Sequence, residues 1–170
     1  MNSEVWKDIK GYKNLYQVSN LGNIKTLDYN HTKREKLLKP ILQKDGYLGV
    51  NLMKNGKRKR HRIHRLVAET FLSNKNNFPI INHKNGIKTD NKANNLEWCT
   101  SKYNTKHAIN NGLIKIKKVI YQDLQKGTTL TFKNVKEASD YLGININTLY
   151  YYVKNSHKHK KIIFQYIEGV

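Results

Sequence analysis

The apolar residues of this chain come in short runs broken by Gly and Asn, and the spacing of those runs changes twice. Residues 5–52 have the pattern of short strands, and "GYLGVNLMKNGKRKRHRIH" predicts a hairpin that turns at Asn55-Gly56. From Ile63 onward, "IHRLVAETFL" has the spacing of a helix. A chain of 170 residues has room for one ordinary core or for two to three small modules. The changes of pattern favour small modules of mixed α+β class.

The last third of the chain has a different pattern. "LIKIKKVIYQDLQKGTTLTFKN" predicts a linker that leads into a two-stranded ribbon with its turn at Lys126-Gly127. "NVKEASDYLGININTLYYYVKN" then predicts two helices that meet at Gly143, which is the pattern of a helix-turn-helix. The second helix is expected to present a polar set suited to base edges and phosphates: Asn145, Asn147, Thr148, Tyr151 and Lys154.

Positive charge dominates the composition. Lys and Arg number 32 against 12 Asp and Glu, which gives a formal net charge of +20. The segment between Asp45 and Glu69 has no acid and carries a basic run: Lys54, Lys57, Arg58, Lys59, Arg60, Arg62 and Arg65. Basic side chains release condensed counterions when they meet phosphates, so nucleic acid is the expected partner and this run is expected to contact its backbone.

The compartment is predicted from what the sequence lacks. Cys99 is the only cysteine, so the chain can form neither an internal disulfide nor a zinc site built from several cysteines. No signal-like apolar core occurs at the N-terminus, and no run approaches the roughly 20 apolar residues that span a bilayer. These features predict a soluble cytoplasmic protein without a membrane partner.

The stretch "INHKNGIKTDNKANNLEWCTSKYN", residues 81–104, is the candidate for chemistry. Taken alone, "NHKNG" favours a tight turn. The spacing of His83, Asn95 and Asn104 favours a hairpin packed on the predicted helix "TSKYNTKHAINNG", which would bring Asn82 and His83 towards Asn104. Phosphodiester hydrolysis needs a base, which a neutral histidine can supply, and a divalent cation, which asparagine oxygens can bind.

Residues 81–107 resemble the HNH nuclease motif of phage intron-encoded homing endonucleases of the I-HmuI type. The segment "WKDIKGYKNLYQVSNLGNIK", residues 6–25, is similar to the N-terminal DNA-binding (NUMOD4-like) module that commonly precedes that motif. "IHRLVAETF" resembles its lead-in, and the helix-turn-helix resembles the intron-encoded-nuclease repeat module that often follows it. Three motifs in the order of the family are far more specific than any one alone.

The resemblance implies roles for individual residues. His83 falls on the general base, and Asn95 on the asparagine that braces the hairpin and orients the base. Asn104 falls on the last motif position, which is a metal ligand. Asn82 occupies the other ligand position, where relatives often carry aspartate; because an amide has no charge, the metal affinity is expected to be lower. His107, one turn after Asn104, is an alternative ligand or a phosphate-contacting surface histidine.

The expected architecture is α+β, modular and extended. It consists of an N-terminal β-rich DNA-binding module (1–55), an HNH ββα-metal nuclease domain (56–112), a linker with a β-ribbon (113–130) and a helix-turn-helix DNA-binding module (131–170).

The expected function is that of a site-specific homing endonuclease encoded by a phage and active as a monomer in a bacterial host. It would use one Mg²⁺ or Mn²⁺ and nick one strand of a long asymmetric site in double-stranded DNA. The alternative is an inactive HNH-derived regulator that binds DNA by sequence, which Asn82 favours. A basic RNA-binding or ribosome-associated protein is a third class, and the order of the three motifs argues against it.

Overall fold

The structure is a computed structural model of the chain, and it describes residues 3–28, 32–114, 117–155, 158–159 and 162–168. The chain divides into two compact units, Met1–Ala108 and Ile109–Val170. Each unit has its own buried apolar cluster. The predicted α+β class is confirmed, since both units combine small antiparallel sheets with helices.

The first unit begins with an antiparallel sheet of four short strands in the order β1-β2-β3-β4. The strands are β1 (Trp6–Asp8), β2 (Tyr16–Ser19), β3 (Ile24–Thr26) and β4 (Lys36–Leu37). Ser19 closes the turn between β2 and β3, because its Oγ accepts hydrogen bonds from the backbone N–H groups of Leu21 and Asn23. The predicted strand, turn and strand of this region are therefore confirmed.

A second sheet contains the predicted basic hairpin. Its strands are β5 (Ile41–Leu42), β6 (Leu48–Lys54) and β7 (Lys57–Arg62). Asn55 and Gly56 have φ angles of 51° and 72°, the left-handed values that a two-residue hairpin turn requires. The turn is thus where the sequence predicts it. The boundary predicted between the N-terminal module (1–55) and the nuclease domain (56–112) falls at this turn. Both strands of the hairpin lie in the first unit of the structure.

The hairpin leads into a helix, a two-stranded ribbon and a second helix. These elements are α1 (Ile63–Phe71), β8 (Ile80–His83), β9 (Leu96–Cys99) and α2 (Ser101–Asn110). Thr100 caps α2 by accepting a hydrogen bond from the Tyr103 backbone N–H at 3.2 Å. Gly112 follows the helix with φ +66°, as expected of the residue that ends it.

One core holds the first unit together. It takes buried residues from both sheets, from α1 and from the ribbon: Val18, Ile24, Val50, Leu52, Val67, Ile81 and Leu96. Burying a side chain of this size contributes about 1.5–3 kcal/mol. The ribbon that carries His83 is therefore fixed against the same core as the N-terminal sheet.

The second unit is a four-stranded antiparallel sheet covered by two helices. Its strands are β10 (Lys117–Asp123), β11 (Thr128–Phe132), β12 (Lys158–His159) and β13 (Ile162–Glu168), in the order β11-β10-β13-β12. The predicted ribbon is present as β10 and β11. Part of β10 was predicted to be linker, whereas β10 is an inner strand that pairs with β13 along its whole length. The paired residues are separated by 39 residues (Asp123 and Ile162) to 51 residues (Lys117 and Glu168) along the chain, so the local pattern could not show the pairing.

The helix-turn-helix forms as predicted. Its helices are α3 (Val135–Leu142) and α4 (Ile146–Lys154), and Gly143 joins them with φ 65°. The Asn134 side chain caps α3 by accepting a hydrogen bond from the Glu137 backbone N–H. Leu149 and Val153 pack with Val119 and Phe164 of the sheet, so the two helices have a β-sheet behind them. Among the helices of the described residues, none has the length and apolar character to cross a membrane.

Candidate active site

His83 ends strand β8 and is only 5% exposed. Its ring lies against two others, with centroid distances of 5.2 Å to His64 and 5.8 Å to Tyr47. Its Nε2 is 3.2 Å from the Asn91 Oδ1. Burial lowers the pKa of His83 below its ordinary value, because the charged ring loses hydration, and the bond to Asn91 opposes that effect. The ring is therefore neutral near pH 7.

Asn91 is a site residue that was not predicted from the sequence. It is 4% exposed, and its side-chain oxygen faces the His83 ring. A Cβ added at Gly22, in the turn between β2 and β3, would lie 3.0 Å from the Asn91 Cβ. Gly22 also has φ +89°, a conformation that favours glycine. The N-terminal sheet thus packs closely on the residue that holds the candidate base.

Asn95 organises the loop that joins β8 to β9, residues 84–95. Its Oδ1 accepts a hydrogen bond from the Asn85 backbone N–H at 3.1 Å. Its Nδ2 donates to the Asn85 Oδ1 at 3.0 Å and to the Asp90 carbonyl oxygen at 2.8 Å. Asn91 follows Asp90 directly, so these bonds fix the part of the loop that reaches His83. Sequence spacing had singled out Asn95 but not its partners.

Asn82 lies on the other face of the ribbon from His83, because successive side chains of a strand alternate. It is 5% exposed, and its Nδ2 donates a 2.8 Å hydrogen bond to the Glu97 Oε1. The two residues are directly opposite in the β8–β9 pairing. Glu97 was not among the predicted site residues, since only the strand register shows that it faces Asn82.

Helix α2 carries Asn104 and His107. Asn104 is half-buried, in the first turns of the helix. The His107 Nε2 donates to the Lys84 carbonyl oxygen at 3.0 Å, which ties the helix to the residue after His83. The nearby Glu97 carboxylate raises the pKa of Tyr103, the residue before Asn104. In the described part of the chain no hydrogen bond joins the Asn104 side chain to Asn82 or His83, so their convergence stays a prediction.

The basic run is divided between the two faces of the hairpin. Lys59 pairs with the buried Leu52, whereas Arg58 pairs with the exposed Met53. Arg58 and Arg60 therefore lie on the face away from the core. Other members make contacts within the chain: Lys54 with Gly11, Arg62 with Asp45, and Arg65 with Pro79 and Glu69. Lys57 is exposed near the tip of the hairpin.

The predicted recognition helix is exposed along its outer face. All five predicted contacts are exposed: Asn145, Asn147, Thr148, Tyr151 and Lys154. Asn145 caps α4, because its Oδ1 accepts a hydrogen bond from the Asn147 backbone N–H at 2.9 Å. The other four side chains remain predicted DNA contacts.

Strand β8 carries His83, the loop before β9 carries Asn95 and helix α2 carries Asn104, which is the order expected of the HNH nuclease class. Comparison with known families and proteins agrees with it. The NUMOD4 motif matches residues 4–53, and the NUMOD1 domain matches residues 117–153. A solved structure described as "DNA binding and cleavage by the HNH homing endonuclease I-HmuI" has a TM-score of 0.57 and 31% sequence identity, over 96% of this chain and 98% of that chain. This chain belongs to the HNH homing endonuclease family.

Two relatives extend the comparison. An "Uncharacterized HNH endonuclease L245" of Acanthamoeba polyphaga mimivirus is 41% identical over 142 residues, which are 82% of this chain and 41% of that protein. The "DNA endonuclease I-HmuI" of Bacillus phage SP01 is 40% identical over 113 residues, which are 66% of this chain and 62% of that protein. The chain thus spans less than two thirds of the length of these relatives.

Proposed function

We propose that this chain is a DNA endonuclease that hydrolyses phosphodiester bonds with His83 as its general base. The observation that carries the proposal is the setting of His83, a buried neutral imidazole held by Asn91 at the end of the HNH ribbon. Membership of the HNH homing endonuclease family supports DNA as the substrate.

The tautomer of His83 follows from its partner. An amide oxygen only accepts hydrogen bonds, so the Nε2 that faces Asn91 carries the proton. In a neutral ring Nδ1 then has the free lone pair and can take a proton from the attacking water. The ring becomes positively charged in that step, and the Asn91 oxygen stabilises the charge through the Nε2–H bond. Asn95 contributes indirectly by fixing the loop that carries Asn91.

HNH nucleases generally depend on a divalent metal. Within the described residues no group of three His, Cys, Asp or Glu side chains is placed to hold one. Amide oxygens are available from Asn82 and Asn104, and hard cations such as Mg²⁺ and Mn²⁺ take oxygen ligands. As uncharged oxygen donors, these two residues suit one such ion chemically and would hold it weakly. When bound, it would stabilise negative charge on the phosphate and the departing 3′ oxygen.

We infer that one chain cuts one strand. A single ribbon carries His83, and one base serves one phosphodiester bond at a time. The chain would act as a monomer on double-stranded DNA and leave a 5′ phosphate and a 3′ hydroxyl. The origin of one relative from a Bacillus phage supports action inside a bacterial cell.

The outward arginines of the hairpin are expected to supply part of the DNA affinity. Replacing Arg58 and Arg60 together with alanine should lower affinity for all sequences and reduce the slope of log affinity against log salt by about 1 for each lost phosphate contact. Fluorescence anisotropy with a labelled duplex across a salt series measures that slope. Lys136→Ala is the control, because Lys136 is already paired with Asp140. A slope unchanged in the arginine variant would show that this face does not meet the backbone.

Metal-dependent cleavage tests the proposal against its alternative. An active enzyme should produce DNA ends with Mg²⁺ or Mn²⁺ and none with EDTA. The inactive regulator, which the uncharged Asn82 favours, should bind DNA tightly and produce no ends with either. Competition by RNA as effective as competition by DNA would instead support an RNA-binding protein.

A further inference from the structure

Three rings from separate elements meet at the candidate base. His83 ends β8, His64 is the second residue of α1, and Tyr47 directly precedes β6. The ring centroids of His64 and His83 are 5.2 Å apart, and the two ring planes are inclined at 77°. Such near-perpendicular contacts are a preferred arrangement of aromatic rings. Helix α1 therefore contributes a ring that lies directly against the base.

The hydrogen bond to Asn91 restrains the His83 ring only in part. It holds one atom, the Nε2, at 3.2 Å from the Asn91 Oδ1. Rotation of an imidazole about its Cβ–Cγ bond is soft, and it moves Nδ1 further than Nε2 because Nδ1 lies further from that axis. Nδ1 is the atom proposed to take the proton. Its direction therefore depends on the side chains packed against the ring as well as on Asn91.

Tyr47 holds His64 from another side. The ring centroids of Tyr47 and His64 are 4.9 Å apart, and Tyr47 also lies 5.8 Å from the His83 ring. The Arg62 guanidinium and the Lys88 ammonium lie over the Tyr47 ring, at 4.8 Å and 5.0 Å from its centroid. Cations placed over an aromatic face are attracted to it. His64 is thus packed between the base and a ring that has partners of its own.

Stability alone does not explain a histidine at position 64. The residue is 5% exposed, and its Nδ1 has no hydrogen-bond partner among the described residues. A buried polar atom without a partner destabilises a fold, and leucine, which has a similar volume, would bury no such atom. The other buried residues of α1 are all apolar: Ile63, Leu66, Val67 and Ala68. Leucine lacks the flat ring that meets His83.

We propose that His64 is a positioning residue for His83, whose ring it keeps turned so that Nδ1 faces the attacking water. The role rests on the proposed function, since it takes His83 as the general base. His64 itself exchanges no proton with the water and acts only through its contact with the His83 ring.

The first test compares the rate and the stability of His64→Leu with those of wild type at neutral pH. Single-turnover cleavage of bound DNA should be slower by at least about tenfold, since a small misplacement of a reacting group can cost up to about 10²-fold. DNA affinity should be unchanged. The free energy of unfolding should be equal to that of wild type or higher, because the unpaired Nδ1 is gone. His64→Phe, which keeps a flat ring, should recover most of the rate.

Val18→Ala is the matched control for damage to the fold. Val18 is completely buried in the same core, so its truncation lowers stability without touching the three rings. It should cleave bound DNA at the wild-type rate. A wild-type rate in His64→Leu, or an equal loss in Val18→Ala, would overturn the proposal. If His64→Leu does not fold, His64→Gln removes the ring and decides in its place.

The tautomer of His83 gives a second readout that needs no cleavage. Two-bond ¹⁵N–¹H spectra of the histidine-labelled chain show which ring nitrogen carries the proton, and His83→Ala assigns the signal. Wild type and Val18→Ala should show the Nε2–H form alone, as the bond to Asn91 requires. His64→Leu should show both tautomers, because a ring that turns loses that bond.

The spectra also separate this role from the proposed function. One unchanged tautomer in His64→Leu would overturn the role of His64, even in a chain that cuts DNA. If the wild-type chain never cuts DNA, the endonuclease proposal fails, and the appearance of a second tautomer in His64→Leu would still show that His64 orients the His83 ring.

Discussion

The His83→Ala variant is expected to cleave DNA about 10²–10⁴-fold more slowly than wild type, which is the usual contribution of a positioned general base. Affinity for DNA should be unchanged, because His83 is buried and the exposed cationic side chains remain. Single-turnover cleavage of a bound duplex measures the rate, and anisotropy measures the affinity. The substitution should slow the chemical step and leave DNA binding unchanged.

Two further variants test whether the lower rate comes from the loss of the base or from a damaged fold. His83→Asn keeps a polar side chain opposite Asn91 without an imidazole, and it should be as slow as His83→Ala. His61→Ala removes a histidine of the same unit, on strand β7, that contacts Tyr12, and it should cleave at the wild-type rate. Equal losses in His61→Ala and His83→Ala would mean that the assay reports folding rather than base catalysis.

Mild acid is expected to destabilise the fold through His64. This residue of α1 is 5% exposed, and its Nδ1 has no hydrogen-bond partner among the described residues. Burial, together with the neighbouring His83, lowers the pKa of His64 from 6.5 to about 3. The unfolded chain therefore binds a proton between those two pH values that the folded chain does not, and stability falls as pH falls through that window. The loss is about 2 kcal/mol at pH 5.

Denaturant unfolding at pH 7 and pH 5 measures this effect. The His64→Leu variant should lose less stability than wild type between the two pH values, because the titrating ring is gone. A smaller slope should remain, since burial also lowers the pKa of His83. The same acid dependence in His64→Leu and in wild type would show that His64 is not the residue responsible.

Local signals in the sequence predicted the parts of this fold that depend on neighbouring residues. The turn at Asn55-Gly56 needs only two residues that tolerate positive φ, and the Gly143 turn needs one. Strand β13 could not be predicted in the same way, because it is stabilised by pairing with β10 from a distant part of the chain. The shared core of the N-terminal sheet and the ribbon was hidden for the same reason.

In the candidate site, too, contacts between distant residues could not be predicted from local sequence signals. The spacing of His83, Asn95 and Asn104 could be taken from the sequence alone. Asn91 could not be told from the other asparagines of its loop, because only the folded loop brings it to the His83 ring. Glu97 was missed because its meaning depends on the strand register that sets it opposite Asn82.

We propose that this chain nicks DNA at a specific sequence by using a metal ion and His83. The most direct test incubates pooled phage and bacterial DNA with the protein and Mg²⁺ or EDTA, and maps new ends by strand-specific sequencing. We expect new ends at one recurring sequence, on one strand, and we expect them to disappear with EDTA and with His83→Ala. Ends that persist in either control, or tight DNA binding with no new ends at all, would contradict it.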